Sequence, residues 1–219
     1  MTTITKAVVM KAIQAAIDRA KNKSPTTNYA LGKAYELKVL SRLLAHLRHS
    51  HKYMLSCHPK AKTRLTFGGA PCRPNAKGHD CIHVAAGSES YEFWVSVQFT
   101  TLSYQLGKTG AAPSCSDLHE IDIGLYKPLK GSAYPSYKQL VFAGSCKAGA
   151  WHKVHAREAL GLRRELGMLS HPTSSRAPWF TPVVPSDPPT PLALFSADLN
   201  SANYRGSLAS FGLYVVPHP

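Results

Sequence analysis

The sequence predicts a mixed α/β fold, a central sheet flanked by helices, and three observations carry that prediction. Apolar residues recur at helical spacing over residues 4–21 and 29–49. Farther on, "CIHVAA" and "YEFWVSVQF" alternate on either side of a "GSES" turn, the pattern of a β-hairpin. Two more apolar stretches, "HEIDIGLYK" (119–127) and "QLVFAGSCK" (139–147), read as strands and precede a third helix. Helix, strands, helix, strand is the order of a layered α/β domain.

Each element follows in turn. Ile4, Val8, Ile13, Ala16, Ile17 and Ala20 have lysines and arginines between them, which predicts an amphipathic N-terminal helix within residues 1–25. "NKSPTTN" breaks it, and residues 26–219 are expected to form a single domain. Residues 29–49 predict a stronger helix: Leu37, Leu40, Leu44 and Leu47 make one face, widened by Val39 and Leu43. Glu36 falls in its first turns, where the helix dipole favours an acid. Residues 52–80 predict a strand near "RLTF" and then a loop. In the second hairpin strand, Phe93, Val95, Val97 and Phe99 should share one face, and Glu92, Trp94, Ser96 and Gln98 the other. A loop is expected over 101–117. The third helix, about 152–169, carries Lys153, Arg157, Arg163 and Arg164. The proline-rich stretch 171–191 predicts extended chain with one short strand. "LALFSADL" predicts a strand or short helix, "SANYRGSLA" a short helix and "FGLYVVP" a last strand.

Charge points to the partner. Twenty-six Lys and Arg against 12 Asp and Glu give a net charge of +14. Such a field attracts polyanions, of which nucleic acid is the commonest in solution. No apolar run approaches the length of a membrane span. The N-terminus lacks the apolar core and cleavage site of a secretion signal. Five cysteines, Cys57, Cys72, Cys81, Cys115 and Cys146, are odd in number and irregularly spaced. That suits free thiols in a reducing, cytoplasmic setting. Cysteines and histidines crowd together in "CHPK", Cys72 and "GHDCIH", yet there is no C-x-x-C pair. Cys81 and His83 sit on an alternating strand rather than in a tight knuckle, so buried thiols and surface imidazoles are expected there rather than zinc.

The strand pair 119–127 and 139–147 holds the pattern that calls for chemistry. Residues i and i+2 of a strand share a face, so Glu120 and Asp122 project together while Ile121 and Ile123 turn to the core. In the next strand Ser145 and Lys147 share a face and Cys146 points the other way. Metal-dependent phosphodiester cleavage requires carboxylates to hold a divalent cation near the phosphate, and a cation to orient the attacking water. An acid and a lysine on neighbouring strands meet that requirement. A plain salt bridge between Asp122 and Lys147 would account for the same pattern without catalysis.

The arrangement resembles the PD-(D/E)XK, or restriction-endonuclease-like, nuclease superfamily over about residues 30–170. "AYELKVLSRLL" resembles its glutamate-bearing helix and "HEIDIGLY" its aspartate strand. "LVFAGSCKA" resembles the acid-x-lysine strand and "HAREALGLRRELG" the helix after it. One position departs: Ser145 stands where the second acid belongs, and a serine cannot replace an anionic ligand of a hard cation. The resemblance implies a Mg²⁺- or Mn²⁺-dependent endonuclease acting on double-stranded DNA, in restriction, mobile-element or phage-defence work. Asp122 would ligate metal and Lys147 would position the water. The second carboxylate would come from Glu158, on the following helix, or from Glu120 or Glu36. Alternatively, Asp122, the Cys146 carbonyl and water would hold a weaker metal. Lys153, Arg157, Arg163 and Arg164 would contact phosphates. Double-strand cleavage would require a homodimer or a protein partner. The alternative is a catalytically inactive nucleic-acid-binding or assembly subunit on the same fold.

Overall fold

A computed structural model describes residues 28–58, 66–67, 71–74, 79–107, 112–131, 133–169 and 186–217. The expected N-terminal helix over 1–25, half of the "RLTF" strand and most of the proline-rich stretch lie outside the described residues. Among the described residues no helix is long and apolar enough to cross a membrane.

The chain runs α1 (Asn28–Ser50), β1 (Met54–His58), β2 (Cys81–Ala86), β3 (Glu89–Thr100), α2 (Leu102–Leu106), β4 (Leu118–Tyr126) and β5 (Leu140–Lys147). Then come α3 (Lys153–Glu165), β6 (Met168–Leu169), β7 (Ser186–Asp187), β8 (Leu192–Ser196), α4 (Arg205–Ala209) and β9 (Leu213–Pro217). Seven strands form one mixed sheet in the order β1-β2-β3-β4-β5-β8-β9. From β1 to β5 neighbours are antiparallel, whereas β5, β8 and β9 are parallel. Parallel neighbours need a crossover, and α3 and α4 lie in the two crossovers. The short β6 and β7 pair with each other apart from the main sheet.

Helices cover both faces, as the layered prediction requires. Tyr35, Val39, Leu40 and Leu44 of α1 pack on Ile82, Val84, Phe93, Val95, Ile123 and Phe195. On the other face Ala156 and Ala159 of α3 and Leu208 of α4 meet Trp94, Val97, Phe99, Ile121 and Leu194. Trp94 is a core side chain. All the described cysteines are free.

Three expectations are corrected. First, Phe93 and Val95 do not share a face with Val97 and Phe99; the two pairs lie in opposite cores. Ser96 causes the switch, because its φ of 54° is left-handed and breaks the two-residue alternation. Ile121 and Ile123, on the facing strand, are split between the same two cores. Second, β1 occupies "MLSCH", where no strand was expected, while Thr66 and Phe67 are not in a strand. The loop expected over 101–117 holds α2 and a turn of 3₁₀ helix at Cys115–Asp117.

The third correction concerns Arg163. It is not a surface phosphate contact: it is 4 % exposed. Its Nε donates to the Phe211 carbonyl at 2.7 Å, Nη1 to the Thr190 carbonyl at 3.2 Å and Nη2 to Ser186 Oγ at 2.6 Å. The guanidinium thus ties α3 to the chain before β8 and to the turn before β9. The helix ends soon after, at Glu165, and a Cβ on Gly167 would lie 2.9 Å from the Pro188 carbonyl oxygen. Truncation to Arg163→Ala strands buried carbonyls and should destabilise the fold by about 3 kcal/mol. Arg164→Ala, on an exposed side chain, should stay within about 0.5 kcal/mol. Urea melts of the two variants check the contrast.

Candidate active site: an acidic cleft where two strands part

The β4–β5 ladder runs from Tyr126↔Leu140 to Ile123↔Gly144. Beyond that pair a side chain takes over. Asp122 Oδ2 accepts the Cys146 N–H at 2.6 Å and the Ser145 hydroxyl at 3.3 Å. Asp122 and Lys147 therefore lie on neighbouring strands, as expected, at the point where those strands part. In an extended strand a residue's N–H and C=O point to one edge, so the Cys146 carbonyl shares the edge that faces β4. Its thiol does not share the site: it packs with the α1-side core, and burial pushes it well up.

A cleft of about 690 Å³ opens over this point. His119, Glu120 and Asp122 of β4, Ser145 and Lys147 of β5, and Glu158 of α3 line it. Lys147 Nζ donates to Glu158 Oε2 at 2.9 Å, and no ion pair joins it to Asp122 among the described residues. The strand-to-strand salt bridge is thus replaced by a strand-to-helix one. The turn after β5 brings the start of α3 back over the strand's end, which is why Glu158, eleven residues on, reaches Lys147.

Glu36 stands apart from the cleft lining. It is 7 % exposed, on α1, behind the strands. Lys33, one turn earlier, was not anticipated from the sequence. Its Nζ donates to Glu36 Oε2 at 2.9 Å, lies 3.9 Å from Glu120 Oε1 and also bonds Ser96 Oγ. Ser96 Oγ in turn donates to Glu36 Oε2 at 3.4 Å. The left-handed φ that switches the faces of β3 is what turns this hydroxyl toward α1. The i,i+3 spacing of Lys33 and Glu36 was visible in the sequence, but it reads as an ordinary surface pair.

Burial raises the acids, and the Asp122 charge adds to the shift at Glu36 and Glu120. Burial pushes Glu36 up to about 7, with the Asp122 charge adding to it and Lys33 opposing. Burial also raises Asp122, against the Cys146 amide, Lys147 and Lys33, and raises Glu120, against Lys33. Burial lowers Lys33, but the neighbouring Glu36, Glu120 and Asp122 outweigh it and leave the amine raised. A raised acid stabilises the fold below its unfolded pKa and loses that contribution as pH rises through the folded value. For Glu36 the window runs from about 4.5, its ordinary value, to about 7. In metal-free buffer Glu36→Gln should therefore raise the melting temperature at pH 8 and have little effect at pH 4. Thermal melts at the two pH values check this, and equal shifts at both would contradict it.

Of the basic residues on α3, Lys153, Arg157 and Arg164 are exposed. At 100° per residue they fall within about 40° of one another, a single stripe. Arg164 also lines the cleft. His119 is exposed at its mouth.

Comparisons with protein-family models, with curated proteins and with solved structures returned no match.

Proposed function

We propose that the chain is a metal-dependent nuclease of the restriction-endonuclease-like kind, acting on DNA. The observation that carries this reading is the cleft itself. Asp122, Glu120, Glu158 and Lys147 converge where β4 and β5 part, beside a basic stripe on a chain of charge +14. Burial raises the Asp122 and Glu120 carboxylates of the cleft, and a divalent cation relieves that cost of holding them charged. Its donors are all oxygen, which suits Mg²⁺ or Mn²⁺. Asp122 and Glu158 would hold the ion, with Glu120 and the Cys146 carbonyl as further oxygen donors. When bound, such an ion stabilises the charge that develops on the scissile phosphate.

The chain's own residues supply the rest. Hydrolysis adds water across one P–O ester bond and leaves a phosphate on one side and a hydroxyl on the other. Lys147 Nζ orients the attacking water in the cleft, and Glu158 at 2.9 Å fixes that amine's position. Ser145 and the Cys146 amide hold the Asp122 carboxylate in one orientation through Oδ2. Lys153, Arg157 and Arg164 contact the phosphate backbone along α3, which positions DNA without reading its sequence. Glu36 and Lys33 lie behind and set the charge of the cluster.

A second reading has its own observation. Ser145 occupies the acid position, and Lys33 already sits among the acids at 2.9 Å from Glu36. Both suit a chain that has kept the fold for nucleic-acid binding without cleavage. Incubating supercoiled plasmid and duplex oligonucleotide with the protein, in Mg²⁺, Mn²⁺ or chelator, separates the two. Nicking or cutting only with metal is the expected result. Binding without cutting supports the second reading. In either case affinity should fall with a log–log salt slope of about −0.9 per phosphate neutralised. Absence of DNA binding at low salt would contradict both.

A further inference from the structure

A second cluster of metal-ligating side chains lies at the other end of the sheet, on different chemistry. Cys81 and His83, two apart on β2, project from one face, while Ile82 and Val84 between and beyond them pack toward α1. His83 is in register with Glu92 of β3. The Cys81 thiol, a His83 ring nitrogen and a Glu92 carboxylate oxygen all lie within 4.8 Å of one another. Cys81 is 1 % exposed and Glu92 7 %. We propose that Cys81, His83 and Glu92 form a zinc site that fastens the β2–β3 hairpin.

The strand pairing explains how such a site arises without knuckles. Ligands at i and i+2 on one strand, with a third directly across, converge on one point above the pleat. A tetrahedral zinc ion holds S, N and O donors about 3.3–3.6 Å apart, from bonds of about 2.0–2.3 Å. With every pair within 4.8 Å, the cluster reaches that by a contraction of at most about 1.5 Å, within the range of side-chain rotation. Mixed sulfur, nitrogen and oxygen ligation favours zinc over the hard cations suited to the acidic cleft.

Glu92 carries the outer support expected of a ligand. Trp94 Nε1–H donates to its Oε2 at 2.9 Å, and the Leu129 N–H donates to the same oxygen at 3.2 Å. Both bonds fall on Oε2, which orients the carboxylate and leaves Oε1 for the ion. No lysine or arginine pairs with this buried acid among the described residues. A divalent cation supplies the missing charge. On loading, the Cys81 thiol gives its proton to water and becomes a thiolate ligand. Gln98, in register with Glu120, lies six positions along β3 from Glu92, so the site stands about 20 Å from the acidic cleft. It is independent of the cleavage reading.

The full-length chain, supplied with zinc and then dialysed against metal-free buffer, should retain one zinc per chain by elemental analysis. Cys81→Ser and His83→Gln should each lower that content at least tenfold, and Glu92→Gln should weaken retention. Cys72→Ser and Asp122→Asn should keep it. The first tests the other close thiol–imidazole pair, Cys72 Sγ and His79 Nδ1 at 2.8 Å, and the second tests the acidic cleft. Zinc retained by Cys81→Ser, or lost from Cys72→Ser, overturns the assignment. Should Cys81→Ser not fold, Co²⁺ added to the unaltered chain decides the matter. A thiolate-to-cobalt charge-transfer band supports the site, and its absence overturns it.

Discussion

Asp122→Asn is expected to lower Mg²⁺-supported DNA cleavage by about 10³-fold or more while leaving DNA binding intact or slightly tighter. The substitution removes the anionic ligand but keeps a carbonyl oxygen that can still accept the Cys146 N–H, now at 2.6 Å from Oδ2. The strand ends stay joined and the fold should survive. Removal of a negative charge near the phosphate path favours DNA, which is why binding should not fall. A nicking assay paired with a binding titration at one salt concentration reads both effects. If the variant is folded but no longer binds DNA, Asp122 is a structural strut between β4 and β5 and the cleavage reading loses its centre.

The second large effect is expected at Glu158. Glu158→Gln should remove cleavage about as completely as Asp122→Asn, since it supplies the carboxylate that Ser145 cannot. Stability should hardly change. The Lys147–Glu158 pair is 2.9 Å long, but the Glu158 side chain is 53 % exposed, and such pairs are worth under about 1 kcal/mol. Loss of cleavage with unchanged melting temperature therefore separates a chemical role from a packing one. Ser145→Ala should matter little, because its bond to Asp122 is long, at 3.3 Å, and the Cys146 N–H still holds the same oxygen at 2.6 Å. Ser145→Glu should restore part of the activity in the Glu158→Gln background by returning an acid to the strand. Full cleavage by Glu158→Gln would move the second carboxylate to Glu120, which lines the cleft, or to Glu36 behind it.

The site was legible in the sequence wherever a local period sets side-chain direction. Glu120 with Asp122, and Ser145 with Lys147, follow from the two-residue repeat of a strand, and all four line one cleft. Glu158 was legible because a strand–turn–helix unit returns the helix to the strand's end. Arg163 was misread because helical periodicity separates faces but does not say what covers them. Three acceptors from residues 186, 190 and 211 surround it. The Cys81–His83 pair was set aside because its spacing matches no zinc knuckle. Its third member, Glu92, joins it only through cross-strand register.

The sequence by itself determined the kinds and order of the elements: the long helix α1, the β2–β3 hairpin, the acid-bearing and lysine-bearing strands, and the basic helix after them. It also determined the excess of positive charge. These depend on residue spacing and composition, which act over a few neighbours. Only the tertiary structure decided which charges meet. Lys33 reaches Ser96 across 63 positions of chain, Glu36 becomes buried against the sheet, and Ser96 turns the faces of β3 with a φ of 54°. Those contacts come from how α1 lies on the sheet, and the field felt by each acid comes from burial and neighbours that no local pattern records.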